Sequence, residues 1–416
     1  MSFSEWREIK LGDLVDVSSS KRIYAKEYVD SGIPFYRSKE IIEKSKGNYV
    51  STELYISKER FNELKNKFGA PSLGDILLTS VGTLGVPYIV RKEEFYFKDG
   101  NLTWIKNFKD NCHNKFIFYW LLSPDGVNQI NTRCIGSTQK ALTIDTLKKF
   151  ELKIPPYEEQ KAIARILSTL DEKIEVNNQI NKTLENMAQA IFKQWFVDFE
   201  FPNEDGEPYK SSGGEMVESE LGMIPKGWVV KELGDIIELH DSKRVPLSKK
   251  EREKREKIYP YYGAASLMDY VDDYIFDGVY VLLGEDGTVI NENGNPILQY
   301  VWDKFWVNNH AHVVTGRDNI STNFIYVLLK NINVSGAITG AVQLKINQKN
   351  LKELKIVLPK DVTMIEEFSE LINKSFERIR INSDESSMLI NIRDALLPKL
   401  MSGEIRVPLD EEGETS

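Results

Sequence analysis

One spacing pattern runs through this chain twice. Trp6 is followed by Leu11-Gly12-Asp13, and Trp228 by Leu233-Gly234-Asp235, 222 residues further on. Leu77-Leu78 and Gly82-Thr83 return as Leu282-Leu283 and Gly287-Thr288, at an offset of 205. Gly136, Gln139 and Leu147-Lys148 match Gly340, Gln343 and Leu351-Lys352 at 204. Tyr119 with Leu121-Leu122 matches Tyr326 with Leu328-Leu329, and Ile174, Leu184 and Ala190 match Ile379, Leu389 and Ala395. Each match alone is weak. Five in one order at a nearly constant offset define an internal repeat. The 416 residues therefore read as two copies of one unit, each a globular block followed by a helical block.

Composition agrees with folded, water-exposed domains. Hydrophobic residues are 41% and charged residues 28%, which excludes wholesale disorder and fibrous architectures. No apolar run approaches the ~18 residues of a membrane span, so no membrane partner is expected. The N-terminal Met1-Ser2-Phe3-Ser4-Glu5-Trp6 lacks a basic stretch followed by an apolar one, and no leader is expected there. Cys112 and Cys134 cannot build a disulfide framework, which suggests reduced thiols and a cytoplasmic location. With only four histidines, little material remains for a zinc site. The net charge of −9 hides an alternation: residues 1–152 carry +4, 153–222 carry −7, 223–357 carry 0 and 358–416 carry −6. The globular blocks are thus less acidic than the helical ones.

The expected fold class is α+β. Two similar globular domains, 1–152 and 223–357, alternate with two long helices, 153–197 and 358–406, joined by a Glu-, Gly- and Ser-rich solvated linker at 198–222 and ending in an acidic tail at 407–416. Apolar runs bounded by glycine at 74–79 and 279–283 read as buried strands. In the first helical block Ile163, Leu167, Leu170, Ile174, Asn177, Asn181, Leu184, Ala188, Ile191 and Trp195 alternate steps of three and four, a heptad seam interrupted by two asparagines. Phe368, Ile372, Phe376, Ile379, Ser383 and Ser386 continue the pattern in the second block, which reaches Leu396-Leu397 and is expected to stop at Pro398. Two helices of ~35–40 residues, about 55 Å each, are each other's natural antiparallel coiled-coil partners.

Several short motifs suggest catalysis and fail. Ile154-Pro155-Pro156-Tyr157 resembles an amino-methyltransferase signature, but isoleucine cannot hold the target amine, and no glycine-rich cofactor loop follows a strand. Pro124-Asp125 with Glu151-Leu152-Lys153 matches a nuclease pattern that could hold Mg²⁺, yet the second copy has Ile356-Val357 at the matching place. His310-Ala311-His312 could offer two ligands but lacks a third, so no metal site is expected. Nor is there a phosphate-binding Gly-x4-Gly-Lys-Ser/Thr loop, so no ATP site either.

What remains are basic and amide-rich loops. The first copy offers Lys21, Arg22, Arg37, Ser38, Lys39, Ser137, Thr138, Gln139 and Lys140; the second offers Lys243, Arg244, Tyr261, Tyr262, His310, Gln343 and Lys345. Arginine and lysine grip phosphates or guanine, and glutamine can read adenine. The competing reading of each is an ordinary solvated surface.

Two diverged globular blocks, each followed by a long helix, resemble the specificity subunit of a type I restriction–modification system. The residues carrying the resemblance are Gly74-Asp75-Ile76-Leu77, Ile154-Pro155-Pro156 with Glu158-Glu159-Gln160-Lys161, Trp195-Phe196-Val197-Asp198-Phe199, Gly222-Met223-Ile224-Pro225-Lys226-Gly227-Trp228 and Tyr270-Val271-Asp272-Asp273-Tyr274-Ile275-Phe276-Asp277-Gly278. The second copy departs from it, with Leu358-Pro359-Lys360 in place of Pro-Pro. The resemblance implies a non-catalytic DNA-recognition subunit. Each globular block would read one half of a split double-stranded DNA site. The helices would set the spacing and dock two adenine-methyltransferase subunits, joined by two restriction subunits. S-adenosylmethionine, ATP and Mg²⁺ would belong to those partners, with no cofactor in this chain. Two rivals stand beside it: a self-contained DNA methyltransferase or nuclease, and a scaffold that does not touch DNA.

Overall fold

A computed structural model describes residues 5–47, 50, 52–136, 140–340 and 344–407. The chain divides into two compact units. One comprises residues 1–176 and 385–416, the other 177–384. Each unit holds one globular domain and a stretch of each long helix.

In the first unit the strand Arg7–Lys10 pairs antiparallel with Glu151–Ile154, Arg7 opposite Ile154 and Lys10 opposite Glu151. This pairing closes the globular domain at the foot of its helix. Between these strands lie two four-stranded sheets. One is antiparallel, in the order Asp16–Ser18, Leu102–Lys106, Ile76–Thr79, Pro87–Ile89. The other runs Tyr28–Val29, Tyr55–Ile56, Ile33–Tyr36, Tyr96–Phe97, and its last pair is parallel. Ile76 to Thr79 are all buried, as befits a strand covered on both faces. The helix Asn114–Leu122 is apolar almost all round and lies in the core with Leu11, Leu14, Phe150, Ile163 and Leu167. Ser123 ends it and caps the next helix, Pro124–Arg133, accepting from the Gly126 N–H at 3.3 Å. Gly126 is obligatory there, because a Cβ would stand 2.2 Å from the Trp120 carbonyl oxygen.

The second unit repeats the plan. Trp228–Glu232 pairs with Lys355–Pro359. An antiparallel sheet runs Ile237–Leu239, Ala311–Gly316, Tyr280–Gly284, Leu298–Val301. Its companion runs Leu267–Val271, Tyr259–Tyr262, Lys304–Val307, Phe276–Asp277, again with one parallel pair, Tyr261 opposite Trp306. The core gathers Leu233, Val281, Phe324, Leu328, Leu351 and Leu358.

The long helices span Tyr157–Phe192 and Thr363–Ser402. The first continues into a wide turn at Lys193–Val197. Within each unit the two helices run antiparallel. In the first, Asp171 accepts from Arg393 at 2.8 Å and Glu159 from Arg406 at 2.6 Å. In the second, Asn181 Nδ2 donates to Ser383 Oγ at 3.0 Å, and Asn382 Nδ2 to Asn181 Oδ1 at 2.9 Å. Ile163, Leu167, Phe368, Ile372 and Phe376 are fully buried, whereas Leu170, Ile174, Leu184, Ile191, Trp195, Ile379 and Leu396 are half-buried. Asn382, absent from the heptad reading, is wholly buried where that reading set Ser383 on the seam.

Three expectations change. The second helix does not stop at Pro398 but runs to Ser402. The proline costs about 3 kcal/mol in a helix interior, and burial of Leu400 and Met401 in the first unit's core offsets it. Residues 198–222 are not a plain solvated linker. Phe199 and Phe201 pack on Trp228, with ring centroids 5.4 and 5.3 Å away, and Tyr209 stacks on Phe201 at 4.6 Å. Met216–Ser219 and Gly222–Pro225 then form a hairpin. The glutamates that suggest solvation lie on a segment whose aromatic residues anchor it. Lastly, residues 153–154 and 358–359 belong to closing strands rather than to the helices. Of the acidic tail expected at 407–416, residues 408–416 lie outside the described residues.

Candidate nucleic-acid interface

In the first domain, loops at one end of the strands gather most of the expected basic residues. Lys21 and Arg22 follow the strand Asp16–Ser18. Arg22 Nε donates to Asp99 at 3.0 Å, and its side chain remains 67% exposed. Arg37 follows the strand Ile33–Tyr36 and opens the helix Ser38–Ser45. Its guanidinium donates to Glu40 at 2.6 Å. Burial works against the Glu40 charge, but the Arg37 side chain and backbone N–H outweigh it and hold the carboxyl below its usual range. Arg37 is thus largely committed to Glu40. Ser38 Oγ donates to the Asn101 carbonyl at 3.3 Å, and Ser80 N donates to the same oxygen at 2.8 Å. Val81 bridges to Ala141, which brings exposed Lys140 alongside. Lys39 is exposed next to Ser38. Ser137, Thr138 and Gln139 lie outside the described residues.

The second domain builds a matching cluster. The Glu285 N–H donates to the His310 carbonyl at 2.8 Å, as Ser80 does to Asn101. The Ile346 N–H donates to the Glu285 carbonyl at 2.9 Å, as Leu142 does to Ser80 at 2.9 Å. Asp286 bridges to Lys345, and His310 Nδ1 meets the Asp286 carboxylate at 2.8 Å. Lys243, Lys345 and His310 are exposed, and Tyr262 is partly exposed. Gln343 lies outside the described residues.

Two residues named from the sequence are placed differently. Tyr261 is a core residue, 1% exposed. Its hydroxyl accepts from the Leu247 N–H at 3.0 Å, and Arg252 lies over its ring at 5.0 Å. Alternation along a strand explains this, since Tyr261 and Tyr262 point to opposite faces. Arg244 is largely buried, with a side chain 12% exposed, and donates to Glu285 at 2.8 Å and to the Ala311 carbonyl at 2.7 Å. Neither presents a free group to DNA.

Arg244 belongs to a buried network that sequence reading missed. His312 Nδ1 meets Asp241 Oδ2 at 2.5 Å, and its Nε2 meets the Ile346 carbonyl at 2.8 Å. Asp241 also accepts from the Val313 N–H at 2.9 Å and from Gln348 Nε2 at 2.6 Å. Glu285 pairs with Arg244 and, at 3.1 Å, with Lys345. Burial opposes both carboxylate charges, yet these partners hold Asp241 and Glu285 below their usual ranges. Asp241, Glu285 and His312 have a metal-ligand composition and lie close together. Their polar atoms, however, are turned to the protein's own donors and acceptors. The only sequence signal was His312 beside valines, and its partner Asp241 lies 71 residues away.

The tempting motifs are structural joints. Pro155 ends the closing strand, and its carbonyl accepts from Gln160 at 2.9 Å. Asp125 accepts from Trp120 Nε1 at 3.0 Å and from Gln129, whose Nε2 also reaches the Glu151 carbonyl at 2.6 Å. The Asp125 carboxylate therefore supports the fold. Among the described residues, no helix is long and apolar enough to cross a membrane.

Comparison with known proteins fits this picture. The profile described as "Type I restriction modification DNA specificity domain" matches twice, at residues 3–186 and 225–382. The chain is 29% identical to the type I restriction enzyme MjaIX specificity subunit of Methanocaldococcus jannaschii, covering 97% of this chain and 94% of the relative. It is 24% identical to the HindI specificity subunit of Haemophilus influenzae, covering 97% and 100%. The crystal structure of a type I restriction–modification S subunit from M. genitalium shares the fold, with a TM-score of 0.60 at 18% identity over 96% of each chain. With two profile matches in register with its two sheet-and-loop domains, the chain belongs to the family of type I restriction–modification specificity subunits.

Proposed function

We propose that this chain reads a split DNA site for a type I restriction–modification complex, one half-site per globular domain. The observation that carries this is the duplicated loop cluster. In both domains the same backbone bonds bring three loops to one end of the strands and leave lysines there in solvent: Lys39 and Lys140 in the first, Lys243 and Lys345 in the second. Exposed lysines and Arg22 grip phosphates, while Gln139 and Gln343 are candidates for base contact by the chemistry of their amides. Each mismatched base pair costs about 1–3 kcal/mol, so only a doubly matched site is held long enough for a methyltransferase to flip out its adenine.

The long helices act as the spacer. At 36 and 40 residues they are about 54 and 60 Å long, the scale of half-sites one to two DNA turns apart. They also dock two methyltransferase subunits, with restriction subunits joining them. Apolar side chains left in solvent on the helices, among them Val176, Met187, Ile381 and Met388, support that role. The chain itself contributes no chemistry. S-adenosylmethionine, ATP and Mg²⁺ serve the partners, and the complex works in the cytoplasm.

The test is long-read detection of N6-methyladenine in cells carrying the chain with its methyltransferase, against cells lacking only this chain. A two-part motif that disappears on deletion is the expected result. Exchange of residues 1–152 should then alter one half of that motif. A pattern indifferent to deletion, or both halves changing on exchange, overturns the reading.

A further inference from the structure

We propose that the buried network around His312 is the positioning device that fixes how sharply the second domain discriminates its half-site. This rests on the reading of the loop clusters as DNA-recognition surfaces. Both ring nitrogens of His312 face acceptors, Asp241 Oδ2 at 2.5 Å and the Ile346 carbonyl at 2.8 Å. An imidazole carries its two polar nitrogens on different edges of one rigid ring, so a single side chain ties both groups. The ring thereby joins three stretches of chain that bear on the loop cluster: the segment after the first sheet strand, through Asp241; the strand Ala311–Gly316, which carries His312; and the strand Lys345–Ile346, through the Ile346 carbonyl.

The charged groups around the ring complete the lock. The Glu285 carboxylate stands 3.7 Å from Nδ1 and is pinned by Arg244 and Lys345. Arg244 also reaches Asp241 at 3.4 Å and holds the Ala311 carbonyl. Gln348 Nε2 donates to the same Asp241 Oδ2 that His312 meets, and the Val313 N–H holds Oδ1. Glu285 starts the loop whose next residue, Asp286, orients His310. A rotation of the ring therefore moves two loop legs at once. Contacts to base edges depend on angles that such a movement spoils, whereas contacts to phosphates tolerate it.

The experiment uses the full chain assembled with its methyltransferase partners. Methyl transfer is measured on a fully matched duplex and on duplexes with one base pair changed in either half. His312→Gln keeps a polar side chain but loses the rigid ring. Gln348→Met removes one donor to Asp241 from an exposed position and leaves the core untouched. For His312→Gln, discrimination should fall about tenfold in one half only. For Gln348→Met the fall is smaller and lies in the same half. Assembly and discrimination in the other half stay at the parent level. Equal loss in both halves, or loss of assembly, would show a merely structural role. Undiminished discrimination in both variants would also overturn the proposal. A parent complex indifferent to changes in either half would instead refute the split-site reading itself.

Discussion

At the root of its loop cluster the first domain sets Ser19, Ser80 and Thr103, and the second sets Asp241, Glu285 and His312. The correspondence follows from register: Thr79 lies opposite Leu102 in one sheet and Gly284 opposite Ala311 in the other. Ser80 Oγ and Thr103 Oγ1 share a hydrogen bond at 2.5 Å, and Ser19 Oγ donates to the Leu102 carbonyl at 3.2 Å. One backbone frame thus accepts either a small neutral network or a large ionic one. Hydroxyls cost little to bury. The ionic set must desolvate two carboxylates, a guanidinium and an imidazole, and recovers that cost only while every partner is present. The second domain should therefore be the more brittle of the two.

Replacing the centre of each network gives the largest contrast. His312→Leu leaves Asp241 short of a partner and the Ile346 carbonyl bare, and should destabilise the second unit by about 3–5 kcal/mol. Thr103→Val removes one neutral bond, and should cost the first unit only about 1 kcal/mol. Urea unfolding followed by domain-resolved hydrogen exchange separates the two. Similar costs in both would erase the comparison.

Acid gives the next contrast. Asp241 and Glu285 sit below their ordinary values of 3.8 and 4.5 in the folded chain. Their contribution is complete above the unfolded values and is lost as pH falls through the lower folded ones. Exchange protection around residues 311–316 and 346 should therefore weaken below about pH 4. Around residues 102–106 and 142 the Ser19, Ser80 and Thr103 hydroxyls have nothing to titrate, and the network's share of protection should stay level over the same range.

The smallest effect concerns the surface. Arg22→Ala breaks an exposed pair with Asp99, so folding should change by at most ~1 kcal/mol. DNA binding by the assembled complex should lose about one unit of salt slope. An unchanged slope would remove Arg22 from the interface and leave the first cluster with its lysines alone.

The repeat was legible because Leu-Gly-Asp, the Gly-bounded strands and the heptads are local patterns. So were Ile163, Leu167 and Phe368, whose burial follows from periodicity. The network was not legible: Asp241 with Arg244, Glu285, His312 and Gln348 come from four separate segments, and no spacing rule joins those segments. Tyr261 was misjudged because adjacent tyrosines in a strand face opposite ways. Pro398 was misjudged because a local penalty was overridden by the burial of Leu400 and Met401.

The order in which the first unit's parts leave the ribosome has its own consequence. Arg7–Lys10 can pair with Glu151–Ile154 as soon as residue 154 emerges. The helix that follows must wait for residues 385–407 to complete that unit. At 5–20 residues per second the intervening chain takes about 10–40 s to make. During that interval the part of the core that Leu400, Met401 and Val407 complete stands open on a half-built protein. A nascent chain in that state is a target for chaperones and proteases, and slow codons between residues 176 and 385 would prolong it.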